Sequence, residues 1–215
     1  NLKQNGAYTI FECDSKLHPL FKPIDYIDRL LPFENTIDAS EFDYEIYLLS
    51  LPLYYNVDLD NIPLEPAYIY AEEKYIARWE KIINKTDNLK AGIVWAGNPK
   101  HTGDKKRSCQ LKDFLPLFNN TKVDFFVLQK GDALIQVKDI YYPLNIIDGY
   151  NKGFSDLAAA IHCLDLVITV DTSIAHLAGA MGKETWLLIP YMPDWRWMLN
   201  RDYTPWYPSV KIFRQ

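Results

Sequence analysis

The stretch Leu166-Val167-Ile168-Thr169-Val170-Asp171-Thr172-Ser173-Ile174-Ala175-His176-Leu177-Ala178-Gly179-Ala180-Met181-Gly182 decides how the rest of the chain reads. Its first five residues are apolar or β-branched, too few for a helix and with no polar alternation. That is the signature of a strand buried on both faces. The hydroxyl residues Thr172 and Ser173 then open a helix that runs to about Met181 and is closed by Gly182. Ile174, Leu177 and Met181 give that helix an apolar face, and Ala175, Ala178, Gly179 and Ala180 let it lie close against a sheet.

Working outward, the same alternation recurs. Residues 91–96, 123–128, 144–147 and 185–189 read as strands, the third of them weaker. Helices are expected over 111–118 and over 156–164, the latter with Ser155 as its N-cap. Near-continuous apolar strands alternating with helices predict an α/β domain with a parallel sheet covered on both faces. Upstream, residues 7–13 read as a strand, 44–51 as a second apolar run stopped by Pro52, and 52–66 as loop. A helix over 71–84 carries Tyr75, Trp79, Ile82 and Ile83 at helical spacing. The polar run Asn84-Lys85-Thr86-Asp87-Asn88 then reads as a linker, which divides the chain into an amino-terminal domain over 1–88 and a carboxyl-terminal domain over 89–215.

Composition narrows the partners. The 215 residues are 48% hydrophobic, which marks a packed globule, and 23 Lys+Arg against 28 Asp+Glu leave a net charge of −5. A coat for nucleic acid needs a basic excess, so that class loses support. No apolar run approaches the roughly 20 residues of a membrane helix, and no signal peptide opens the chain. Cys13, Cys109 and Cys163 are odd in number and lack metal spacing, so free thiols and a cytoplasmic location are expected. The acid excess sits before residue 89, at 8 basic against 16 acidic residues. The remainder has 15 against 12, a mildly positive half suited to a small anionic ligand.

Ligands of an open parallel sheet bind outside the carboxyl ends of its strands. Those ends here carry Gly97-Asn98, Gln129-Lys130-Gly131 and Asp171-Thr172-Ser173. A helix beginning at Thr172 offers free N–H groups and a positive dipole end to a phosphate, and His176 follows one turn later. The adjacent cations Lys105, Lys106 and Arg107 can balance phosphate charge, Arg107 with a bidentate fork. No Walker lysine motif and no GxGxxG occurs, against NTP hydrolysis and Rossmann dehydrogenases. Asp58-Leu59-Asp60 is a short paired-carboxylate pattern within a loop and reads mainly as loop structure. Trp195, Trp197, Tyr203, Trp206 and Tyr207 suit either stacking on a base or sugar, or packing.

Several of these motifs together resemble a known family. Gly92-Ile93-Val94-Trp95-Ala96-Gly97-Asn98-Pro99, Lys106-Arg107-Ser108, Leu128-Gln129-Lys130-Gly131, Phe154-Ser155-Asp156, the 170–180 string and Asp194-Trp195-Arg196-Trp197 are similar to the glycosyltransferase half of bacterial tetratricopeptide-repeat proteins. That group is similar in turn to family-9 glycosyltransferases, the heptosyltransferases that use ADP-heptose. The resemblance implies a GT-B architecture with Rossmann-like domains and a metal-independent transfer, with no cofactor beyond a nucleotide-sugar donor. It implies an acceptor that is a glycan, lipid or protein, and leaves room for a homo-oligomer. It implies that Asp171, Thr172, Ser173 and His176 line the donor diphosphate and sugar and that Lys106 or Arg107 faces the pyrophosphate; the strand-end residues Gly97, Asn98, Gln129 and Lys130 complete the expected donor site. Two departures stand out. Heptosyltransferases usually have Gly where this chain has Ser173. The strand and Gly-rich loop that open the family's amino-terminal domain, expected to supply the base, are not found, so that domain reads as incomplete. The reading from another class is a catalytically silent nucleotide-binding or interaction module derived from such an enzyme; a weaker third is a sugar-nucleotide epimerase.

Overall fold

The strand and helix read from 166–182 are both formed, within the larger of two units. The computed structural model describes residues 2–63, 65–147 and 153–215. The chain divides into Asn1–Leu64 and Glu65–Gln215.

The first unit is sparse in regular structure. Strand β1 (Ile10–Cys13), helix α1 (His18–Phe21) and strand β2 (Arg29–Pro32) form a parallel two-stranded pair with one short crossover, and helix α2 (Leu51–Tyr54) follows. Phe11 and Phe21 meet edge to face at 5.6 Å, which seats α1 against β1. The expected strand over 7–13 is therefore shorter. The apolar run 44–51 makes no strand; a 3₁₀ turn over Leu48–Ser50 leads into α2, where Pro52 sits at the first turn. Tyr44, Tyr47, Leu49, Leu53 and Tyr54 all stand exposed there.

The second unit starts with helix α3 (Glu73–Ile83) and continues through strand β3 (Leu89–Val94), helix α4 (Asp104–Arg107), helix α5 (Leu115–Phe118), strand β4 (Val123–Val127), strand β5 (Asn145–Ile146), helix α6 (Phe154–His162), strand β6 (Leu166–Val170), helix α7 (Ser173–Ala180), strand β7 (Thr185–Ile189) and strand β8 (Val210–Arg214). Among the described residues the strands form one sheet in the order β5-β4-β3-β6-β7-β8, every pairing parallel. The chain runs outward from β3 in one direction and then returns to run outward from β6 in the other. The strand order reverses between β3 and β6, the switch point of a doubly wound sheet.

Alternate residues of the strands feed two cores. Ala91, Ile93 and Trp95 pack with Leu111, Phe114, Phe118, Phe125, Val127, Leu166 and Ile168 on one face. On the other, Leu187, Ile189, Val210 and Ile212 meet Ala175 of α7 and the fully buried Trp197. β8, which the sequence reading passed over, is thus a working strand of the sheet. On the 111–118 side of β6, β7 and β8, Ile168, Trp186, Leu188 and Phe213 floor a groove of about 880 Å³ whose rim carries Lys105, Lys106 and Arg107.

Two boundaries differ from expectation. Ser155 does not cap α6: Gly153 occupies that position, and Ser155 lies buried in the first turn with its hydroxyl unpartnered. The division of the chain falls at Leu64/Glu65, and not at the polar run 84–88. The reason is α3, whose Ile76, Trp79 and Ile83 are buried. Trp79 Nε1 donates to Asp156 Oδ1 of α6 at 3.0 Å, and Arg78 pairs with the same carboxylate. Residues 65–88 therefore pack with the carboxyl-terminal sheet.

Candidate functional site

The β3 end is held by Gln129. Its Oε1 accepts from the N–H groups of Trp95 (3.1 Å) and Ala96 (2.9 Å), and its Nε2 donates to the carbonyls of Ala96 (3.0 Å) and Lys130 (2.8 Å). Buried at 3% exposure, Gln129 splices the ends of β3 and β4 together. Expected among the donor contacts, its amide is engaged by these four backbone groups, and it shapes the crevice through them. Lys130 beside it is exposed.

The loop beyond Trp95 is pinned by its own side chains. Gly97 N donates to Ser108 Oγ at 2.9 Å, and Asn98 Oδ1 is taken up by the N–H of Lys100 at 3.0 Å. One turn of helix, α4, then brings Arg107 Nε to 3.2 Å from Asp104 Oδ1. Asp104 is buried, Arg107 is half-buried and Lys106 is exposed. The pair lies so close over Gly97 that a Cβ there would sit 2.7 Å from Arg107 Nη2. Arg107 is thus oriented by a neighbouring carboxylate, while Lys106 is an exposed surface charge.

The β6 end follows the sequence closely. Thr172 is the N-cap of α7, its Oγ1 accepting from Ile174 N at 3.3 Å and lying 3.3 Å from Thr169 Oγ1. Ser173 begins the helix, exposed. His176 Nε2 is 3.9 Å from Asp171 Oδ1, its Nδ1 is 3.0 Å from Tyr207 Oη, and its ring stacks on Trp197 at 5.1 Å and 20°. Burial pushes the imidazole below its ordinary value; Asp171 and Asp194 oppose that shift and Arg196 reinforces it. Burial thus favours the neutral ring, which acts as a hydrogen-bonding group.

The fold brings Asp171, Thr172, Ser173 and His176 to one helix start, and Gly97, Asn98 and Arg107 to the end of the neighbouring strand. Tyr207 and Trp197, read from sequence as packing or stacking, are direct partners of His176. The signal that finds them is a cluster of aromatics after the last apolar strand pair. The Asp58 pattern is loop structure: Asp58 Oδ1 accepts from the N–H groups of Asp60 (2.9 Å) and Asn61 (3.2 Å). Among the described residues no three His, Cys, Asp or Glu side chains gather as a metal site.

The cysteines stay outside this chemistry. Burial pushes Cys109 and Cys163 up to about 11, with Asp113 and Glu80 adding to it, and raises Cys13 as well. At pH 8 roughly one thiol in a thousand is then ionised at the first two sites. Alkylation of the native protein by iodoacetamide, followed by mass spectrometry, should proceed on the order of a hundredfold more slowly at Cys109 and Cys163 than in the urea-unfolded chain. Comparable native and unfolded rates would contradict this burial.

Known proteins bear on the fold. The chain matches no family model. Protein FlbA of Caulobacter vibrioides is 26% identical over 160 residues, a match covering 70% of this chain and 26% of FlbA, so the chain spans about a quarter of that relative. The crystal structure of the glycosyl transferase family 9 from Veillonella parvula superposes with a TM-score of 0.55 at 15% identity, over 91% of this chain and 53% of that one. E. coli ADP-heptose lps heptosyltransferase II does so with a TM-score of 0.55 at 11% identity, over 100% of this chain and 70% of that one. At such identities the likeness establishes the fold: a mixed α/β chain with a parallel sheet, like GT-B glycosyltransferases. No helix among the described residues is long and apolar enough to cross a membrane.

Proposed function

We propose that this protein is a glycosyltransferase whose second unit binds a nucleoside-diphosphate sugar across the carboxyl ends of β3 and β6. The observation that carries this reading is the topological switch point itself. The Gly97–Arg107 loop ends one of its two strands, and the Asp171–His176 helix start ends the other. The diphosphate would take the positive end of α7 together with the N–H and hydroxyl of Ser173, and Arg107 would stand over its charge. In the transfer step the acceptor hydroxyl gives up its proton to a base as the sugar–phosphate bond breaks, and these donors stabilise the departing diphosphate. Asp14, one carboxylate of the first unit, is engaged as a cap by Lys16 N.

ADP is the first nucleotide to test, because ADP-heptose is named for the E. coli structural neighbour. Titration calorimetry with ADP, UDP and GDP should show one of them binding. Arg107→Ala should weaken that nucleotide by about 1.5–3 kcal/mol, the range for a hydrogen bond to a charged group. Lys106→Ala, with its exposed amine, should cost less than 1 kcal/mol, as expected for a screened surface charge. No affinity for any of the three, or indifference to Arg107, overturns the donor-site reading. Release of nucleoside diphosphate from the matching donor sugar then separates a transferase from a protein that binds without turnover.

A further inference from the structure

Tyr207 lies flat against α7, and the helix is shaped for it. A Cβ on Gly179 would fall 2.5, 2.8 and 2.9 Å from three atoms of the Tyr207 ring, so only glycine admits the ring at that depth. The ring is further tilted against Trp197, with centroids 6.3 Å apart. Its hydroxyl therefore reaches His176 Nδ1 at a fixed point, 3.0 Å away. The same hydroxyl hydrogen-bonds Tyr68, whose backbone is itself tied to α7 through Tyr68 N donating to the Ala180 carbonyl at 2.9 Å.

The direction of this chain follows from its far end. A carboxylate only accepts, and Asp171 Oδ1 faces Nε2 of the imidazole at 3.9 Å. The single proton of a neutral imidazole is therefore favoured on Nε2, which leaves Nδ1 as an acceptor. With Nδ1 as the acceptor, the phenol is the donor of that bond. The other charged groups around the ring, Asp194 and Arg196, oppose one another.

We propose that Tyr207 is a positioning residue: its hydroxyl locks His176 in the Nε2–H tautomer, so that a neutral N–H donor, held between Trp197 and Asp171, is presented at the start of α7. Its consequence for ligand binding rests on the donor-site reading above; the tautomer itself does not.

The test is ring-¹⁵N histidine NMR on the whole chain at neutral pH. His176 is assigned among the four histidines by its loss in His176→Gln. In the unsubstituted protein, Nε2 should carry the proton and Nδ1 should show the shift of a bare, hydrogen-bonded nitrogen. Tyr207→Phe keeps the ring against Gly179 and removes only the hydroxyl. It should move His176 towards a mixture of tautomers and weaken ADP, or whichever nucleotide binds, by roughly three- to tenfold, the range spanned by one neutral hydrogen bond. A proton on Nδ1 in the unsubstituted protein, or an unchanged His176 signal in Tyr207→Phe, overturns the proposal. A tautomer change in a protein that binds no nucleotide supports the positioning role and removes the donor-site reading instead.

Discussion

Trp79→Ala should cost about 3–5 kcal/mol of stability, the usual price of emptying a buried tryptophan site. The side chain is fully buried, on a helix whose other buried contacts are Ile76 and Ile83. Its loss also removes one donor from Asp156, a carboxylate that is 4% exposed and still paired with Arg78. Urea unfolding followed by circular dichroism is the measurement, with Trp79→Phe alongside. Phenylalanine preserves most of the ring volume and forfeits the N–H, so it should lose about 1.5–3 kcal/mol, the range for a hydrogen bond to a charged group. A loss under 1 kcal/mol for the alanine variant would mean that α3 is a dispensable appendage, and the unit boundary would then lie after it.

Gly182→Ala should be nearly as damaging, through backbone and not volume. Gly182 follows α7 with φ +67°, and its N–H and that of Lys183 close the helix onto the carbonyls of Gly179 and Ala178. A left-handed backbone costs a non-glycine residue about 1–2 kcal/mol. A Cβ would also sit 2.5 Å from the carbonyl oxygen of Pro66, a backbone atom that cannot swing aside. Overpacking of that kind adds about 1–3 kcal/mol. Asparagine tolerates the left-handed region yet carries the same Cβ, so Gly182→Asn separates the two contributions: it should keep the cost of the clash and shed that of the dihedral. The readout is the unfolding midpoint together with hydrogen exchange at Tyr68 and Ile69, whose amides both donate to the Ala180 carbonyl. Slow, unchanged exchange at those amides in Gly182→Ala would show that the Pro66 strap does not depend on this approach.

The sheet was legible because its central strands read as uninterrupted apolar runs; 166–170, buried throughout, and 185–189, buried at alternate residues, are found to the residue. β2 and β8 escaped notice for a physical reason. Each is a short strand at the end of a sheet, Arg29–Pro32 and Val210–Arg214, with charged or proline residues that mimic a turn. The run 44–51 misled in the opposite sense: apolar composition without a partner surface does not make a strand. At the site, the cap residue Thr172 was visible from its hydroxyl and the small-residue helix after it. The role of Gln129 was not, since an amide that saturates four backbone groups looks the same in sequence as one that meets a ligand. The Tyr207–His176 contact joins residues 31 apart across a strand, and no local pattern encodes it.

The reversal of strand order at β3 also dictates a timetable for assembly. β3 needs β6 as a neighbour, yet the residues they tie together, Lys90 and Asp165, are 75 positions apart. As the chain leaves the ribosome, β3 can pair with β4 almost at once, while its other edge waits for the whole of β4, β5 and α6 to be made. Loop closure over that distance is slow relative to local turns, and parallel pairing offers no hairpin shortcut. In that interval a strand whose last four residues are buried in the finished sheet carries an open edge, the state in which intermolecular strand pairing competes with folding. The same topology that creates a crevice at the centre of the sheet thus makes its central pairing the late, rate-setting event of its biosynthesis.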